Sequence, residues 1–306
     1  MQYKRRDGTL VTVSGGQERL LSLLYGTAAG RLLLKPLVRP GLSRLAGRFL
    51  SSPLSRCLIG PFIRANGIDM TPYEPGPYGS YNAFFSRQIR PSARPVDREP
   101  GHLIAPCDSK LTALPITAEG RFSIKHTDYT VSSLLKNEAL ARTYLGGQAL
   151  IFRLSVDDYH RYLYVDDGEK TAQTVLPGVL HTVHPMANDR YPIYKENARE
   201  YCVLQSPVFG PILVMEVGAL LVGKIVNHHG AARVCRGQEK GYFQFGGSTV
   251  VLLLPPGAAR LDGDILENSA AGLETAVRCG EKIGVSARQE KIPGEGSGAG
   301  KDMGLR

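Results

Sequence analysis

In the first quarter of the chain, apolar residues recur at nearly helical spacing. Leu20, Leu21, Leu23, Leu24, Leu32, Leu33, Leu34, Leu37 and Val38 carry the pattern, and Pro36, Pro40 and Pro53 cut it into short pieces. Residues 16–68 are therefore expected to be helical, with basic residues interrupting each apolar group, as in 31–39. A Pro/Gly-rich stretch over 72–79 marks a linker, and the pattern predicts one more helix over 81–90. From about Leu103 the texture changes to short β-type runs at 149–154, 212–215, 219–222 and 249–254, separated by turn residues. Pro255, Pro256 and Gly257 close the last run, and the Gly-rich tail from Pro293 is expected to be disordered. No internal repeat is present. The pattern predicts an α+β protein: a helical segment over 1–71, a β-rich domain over 72–292 and a tail over 293–306.

Charge sharpens this division. The 306 residues carry a formal +9, yet residues 1–70 hold eleven basic residues against Asp7, Glu18 and Asp69, a net +8. The rest is nearly neutral, which argues against a uniformly basic nucleic-acid binder and for an anionic surface facing the N-terminal segment. Amphipathic helices lying on an anionic membrane fit this pattern. The alternative is a helical layer packed on the following domain with its arginines in water. No run of 18 apolar residues exists, so no transmembrane helix is expected, nor does the Met1 end show a signal-peptide pattern. Five scattered cysteines without a CxxC pair argue against a disulfide framework or zinc ribbon and fit a reducing compartment.

The most informative stretch is 237–249, where Gly246 and Gly247 precede Ser248 and an apolar run follows. Val250 stands where a GxSxG nucleophile elbow would have its last glycine, so that motif is excluded. What remains is a serine whose upstream carbonyl, that of Gly247, has no side chain shielding it. Such a bond suits intramolecular attack by Oγ with an N→O acyl shift. A glycine-rich β-turn is the plainer alternative.

The segment from Phe245 to Thr249 resembles the Gly-Ser-Thr self-cleavage motif of phosphatidylserine decarboxylases, with Gly246 where Leu is usual. Three further segments are similar to blocks of that family. Residues 81–95 resemble its Phe-Phe-x-Arg…Arg-Pro block, 105–109 its Ser-Pro-x-Asp-Gly block with Asp108 as the acid, and 158–161 its Asp-Tyr-His-Arg block. The resemblance spans about 82–254, and four ordered motifs make it specific.

The resemblance implies a membrane-associated, pyruvoyl-dependent enzyme made as a self-cleaving proenzyme. Ser248 would attack Gly247, giving a β chain of 1–247 and an α chain of 248–306, with Ser248 becoming the covalent pyruvoyl cofactor. Its ketone would take the substrate amine as a Schiff base and act as electron sink, converting phosphatidylserine to phosphatidylethanolamine. An Asp-His pair would activate Ser248, as in a catalytic triad, and Asp108 matches the acid. Many relatives read Tyr-His-Arg-x-His with the second His as base, whereas here Leu163 takes that place. His160, the motif's first histidine, is the leading candidate, and His181 the next, ahead of His184. The His181–His184 spacing finds no further metal ligand, so no metal is expected. Arg153 and Arg161 are candidates for substrate phosphate or for surface ion pairs, and Tyr159 for a hydrogen bond to substrate or for packing. Residues 166–168 read as a hairpin turn.

Partners implied are phosphatidylserine, an anionic membrane surface and the two chains of the same proenzyme, with no nucleic acid; a homodimer is compatible. The location implied is the cytoplasmic face of a bacterial cell membrane. Alternatives are a pyruvoyl decarboxylase of a soluble amino acid and a non-maturing lipid-binding homologue, the latter made thinkable by Leu163.

Overall fold

The run Ser248–Leu254 lies at the centre of the fold, with all seven residues buried. A strand covered on both faces has no polar side to alternate, so it reads as continuous Val and Leu. In a computed structural model, residues 2–12, 23–27, 30, 32–33, 40–124, 127–182, 191, 193–219, 224–244 and 248–287 are described.

Eleven strands form the large sheet: β1 (Gln2–Arg5), β2 (Leu10–Thr12), β3 (Ser109–Pro115), β4 (Gln148–Leu154), β5 (Gly168–Lys170), β6 (Thr174–Leu176), β7 (Arg199–Ser206), β8 (Gly210–Val217), β9 (Ala232–Val234), β10 (Ser248–Leu254) and β11 (Glu274–Val277). Their order is β9-β5-β7-β8-β10-β4-β3-β11-β1-β2, with β6 also on β7. All pairs are antiparallel except β1 with β11. A second sheet joins 225–227, 239–243 and 161–163.

The mixed α+β class with a β-rich body is as expected, and the runs at 149–154, 212–215 and 249–254 lie in β4, β8 and β10. The run at 219–222 falls mostly outside the described residues, as does the tail from Pro293. In the N-terminal segment the described residues 23–26 are helical, as are α1 (Pro40–Leu50) and α2 (Ile59–Asn66), the last two joined by a 3-10 turn at Pro53–Leu58. Residues 2–12, by contrast, are strands of the large sheet, so helical character does not reach the chain start. No helix of the described residues is long and apolar enough to cross a membrane.

Two local expectations are corrected. The helix expected over 81–90 is only α3 (Tyr81–Phe85), started by the Ser80 side chain accepting from Ala83 N–H. It stops because Ile89 is drawn into a bridge with Tyr73, which needs extended backbone. Residues 166–168 do not make a hairpin, because the strands they join lie in different sheets. Asp166 is instead buried against Arg236.

Candidate active site

Strand register gathers the candidate residues. Ser248 opens β10 opposite Leu154 of β4, and its neighbour Thr249 faces Val217, the last residue of β8. On the other side of β4, Lys110 faces Arg153, so Asp108 just precedes β3 at the same end of the sheet. Adjacent strands lie about 5 Å apart, which puts the Asp108 and Ser248 backbones roughly two strand spacings from each other. His181 reaches this end through Asn197, whose side-chain amide donates to the carbonyls of His181 and of Gly218, just past β8. His160 lies on the adjoining loop, where its carbonyl accepts from Phe243 N–H.

Ser248 is fully buried, and its Oγ has no hydrogen-bond partner. His160 is also fully buried, with its ring 4.1 Å from that of Phe85. Its Nδ1 lies 2.8 Å from the Asp158 carbonyl. A carbonyl only accepts, so Nδ1 carries the proton and Nε2 the lone pair. Nε2 has no partner. Burial pushes the His160 pKa down to about 3, partly countered by the Asp158 carbonyl and reinforced by Arg87 and Lys110. The imidazole is therefore neutral at physiological pH, with its basic nitrogen unblocked. Asp158 is held in place by Lys110 Nζ, 2.8 Å from both carboxylate oxygens. Its own pKa is pushed up by burial and pulled back by Lys110.

Asp108 is occupied otherwise. Arg94 Nε donates to it at 2.8 Å, Arg94 Nη2 also donates, and the Cys279 N–H donates at 2.8 Å. No hydrogen bond joins Asp108 to His160 among the described residues. Leu163, in the usual histidine place, donates its N–H to Pro106 and packs with Tyr73, Tyr159 and Cys279 beside Asp108. The position that would let a histidine meet Asp108 thus carries a side chain that takes no proton. His181 stacks on Tyr191 at 4.4 Å and faces the Tyr25 hydroxyl at 3.5 Å, and burial lowers its pKa. Gly247 and His184 lie outside the described residues.

The arginine candidates are corrected in part. Arg153 is neither free nor on the surface: it makes a buried bidentate pair with Glu274 at 2.8 and 2.6 Å. Arg161 pairs with Glu239 and donates to the Ser86 carbonyl. Tyr159 is buried packing against Tyr73. Sequence reasoning missed Arg94 and Asn197. Arg94 stands within the 81–95 block and could have been singled out there; Asn197 carried no signal. Among the described residues no group of three or more His, Cys, Asp or Glu could hold a metal.

A model of the phosphatidylserine decarboxylase family matches residues 81–285. The chain belongs to the phosphatidylserine decarboxylase family. It is 48% identical over 266 residues to phosphatidylserine decarboxylase proenzyme 2 of Clostridium acetobutylicum, covering 86% of this chain and 91% of the relative. The proenzyme of Ruminiclostridium cellulolyticum is 39% identical (92% and 95% covered), and that of Chlamydia felis 36% (94% and 98%). These relatives are decarboxylases named as proenzymes, and all three are bacterial.

Proposed function

We propose that this chain matures by cleaving its own Gly247–Ser248 bond and then decarboxylates phosphatidylserine to phosphatidylethanolamine. The observation that carries this is the presence, in a member of this family, of both a buried serine hydroxyl at the expected cleavage position and a buried imidazole nitrogen, each without a hydrogen-bond partner among the described residues. Elsewhere such atoms would be a cost with no return, since a buried polar group left unmade loses its hydration for nothing.

Self-cleavage needs a base for the Ser248 proton and a site closed to water. His160 supplies the base: its tautomer is set by the Asp158 carbonyl, and its Nε2 lone pair is unblocked. Ser248 and His160 are fully buried, so Oγ competes with no water for the Gly247 carbonyl. Oγ bonds to that carbonyl carbon, the peptide C–N bond breaks, and the Ser248 nitrogen takes up a proton. Base-promoted loss of the Ser248 α-proton then breaks the ester, freeing the Gly247 carboxylate and leaving a dehydroalanine at 248, whose nitrogen a water then replaces with oxygen, releasing ammonia. Asp108, tied to Arg94 and Cys279, fixes the loop beside this end rather than sharing a proton with His160.

A pyruvoyl group fits this position, because the unpartnered oxygen sits at the first residue of a rigid central strand. Once formed from Ser248, it supplies an electron-accepting carbonyl for the pair left when CO2 departs. The chain's own part is to hold it, exclude water and keep a neutral His160 at hand to move a proton.

The membrane reading gains support from exposed apolar side chains. Of the ten large hydrophobics exposed among the described residues, Leu23, Leu32, Leu33, Leu45, Phe49, Leu54 and Leu58 all lie in 23–58. Arg48, Arg56 and Arg64 flank them, a pattern suited to an anionic lipid surface. Exchanging Phe49 and Leu54 for Asp should weaken binding of the full chain to anionic vesicles at least tenfold; unchanged binding would refute this assignment.

Intact-mass measurement of the purified chain beside Ser248→Ala tests the main proposal. Two chains, 1–247 and 248–306 with a blocked N-terminus, are expected from the native sequence and one chain from the variant. A single uncut chain from both would favour the non-maturing reading that Leu163 raises.

A further inference from the structure

Arg87 is 2% exposed, and its Nε and Nη2 have no hydrogen-bond partner. Its guanidinium carbon lies 4.0 Å from the Tyr73 ring centroid and 4.7 Å from that of Phe84, while Nη1 donates to the Phe84 carbonyl. The plane is thus fixed, and one edge is left open chemically though closed to water. Nε and Nη2 form the same edge that three other arginines use. Arg94 offers it to Asp108, Arg153 to Glu274 and Arg236 to Asp166, each time to one carboxylate. Among these four forks only that of Arg87 holds no anion. Such an edge matches two oxygens of a carboxylate or phosphate with two parallel bonds.

Its place says which anion. Phe84 packs into the cluster under α1 and α2 with Phe62, Tyr78 and Tyr81, whereas Phe85 lies on His160. Arg87 therefore stands between the helical layer and the catalytic loop. In a phosphatidylserine molecule the phosphodiester likewise stands between the acyl-bearing glycerol and the amino acid. The substrate carboxylate is a poorer match, because an ion pair there would stabilise the group that must leave. Tyr73, whose ring lies against the guanidinium, also lines a cavity of about 520 Å³.

We propose that Arg87 is the receptor for the phosphodiester of the substrate, gripping its two non-bridging oxygens through Nε and Nη2. This rests on the decarboxylase reading and deepens it: the fork selects a phosphorylated serine over a phosphate-free one.

The test compares kcat/KM for glycerophospho-L-serine with that for O-propyl-L-serine, which lacks the phosphate, in the native sequence, Arg87→Lys and Arg87→Gln. The ratio within one preparation is independent of how much of it is folded or matured. It should fall about 10²-fold in Arg87→Gln and about tenfold in Arg87→Lys, which keeps the charge but loses the fork, with the loss mainly in KM. An unchanged ratio in both variants, even with both substrates slowed, would make Arg87 structural and overturn the proposal. Variants that both remain uncut would do the same, assigning Arg87 to folding or cleavage. If the native protein matures but decarboxylates neither these substrates nor phosphatidylserine vesicles, the decarboxylase reading itself falls, and this proposal with it.

Discussion

Two sets of buried polar groups in this fold are treated in opposite ways. On the β7–β8 side, Lys240 and Glu216 are both wholly out of water and 2.7 Å apart. Asn227 accepts from the same Lys240 and donates to Glu216 and Glu200. Arg153 with Glu274, and Arg236 with Asp166, follow the same pattern of burial with full pairing. For Ser248, His160 and Arg87 the pattern reverses. Of the eight buried side-chain atoms without a partner among the described residues, half belong to Ser248, His160 and Arg87. Burial is thus similar in the two sets, and satisfaction is what separates them. A paired buried ion locks a fold; an unpaired buried donor or acceptor is a cost that persists where a reacting group or ligand will use it.

Removing His160 is the largest expected way to break this contrast. His160→Ala should slow self-cleavage by about 10²–10⁴-fold, the usual worth of a positioned general base. Intact-mass time courses after synthesis measure it directly. Cleavage at an undiminished rate would move the base to His181, the next candidate.

How much of this was legible in the sequence follows from the range of each signal. The apolar runs of β4, β8 and β10 are local, and composition reveals them. Register between strands far apart in the chain is not local, so nothing in 105–109 or 248–254 says that Asp108 and Ser248 lie at the same sheet end. The charges show the same limit. Arg153 reads as a candidate phosphate ligand, yet Glu274, 121 residues away, takes its Nε and Nη2, the edge a phosphate would use. The resemblance located the motifs, but Leu163 broke the expected acid–base pair, and only the geometry shows Asp108 held by Arg94 and His160 by a backbone carbonyl. Arg87 lay inside a recognised block, and its empty fork became visible only when its neighbours were in place.

The paired set gives the next prediction. Lys240→Met leaves Glu216 buried without its cation and should destabilise the protein by about 3–5 kcal/mol. Replacing both, with Lys240→Met and Glu216→Leu, should recover most of that loss, because the desolvation cost of each ion disappears with it. Denaturant unfolding of the two variants measures both numbers. A single variant as stable as the native chain would mean that the pair is not what satisfies these buried groups.

The smallest effect is the pH dependence that His160 contributes, and its sign is fixed by burial. An unfolded histidine takes a proton below about pH 6.5, whereas the folded ring stays neutral down to about 3. Between those values the unfolded chain binds more protons, so stability rises with pH across the window and is lost as pH falls through it. The contribution is complete above about pH 6.5 and should be down by about 2 kcal/mol at pH 5. Other buried groups titrate as well, Asp158 and Glu216 among them, so the comparison needs a reference that differs only at this ring. Ser248→Ala with and without His160→Phe provides it, since both chains stay uncut and a phenyl ring can keep the contact with Phe85. The stability difference between them should shift by that amount from pH 7 to pH 5, in favour of the Phe variant. A flat difference would mean that His160 gains a proton in the folded chain near its ordinary pKa, and its unpartnered nitrogen would then be open to water rather than held in reserve for Ser248.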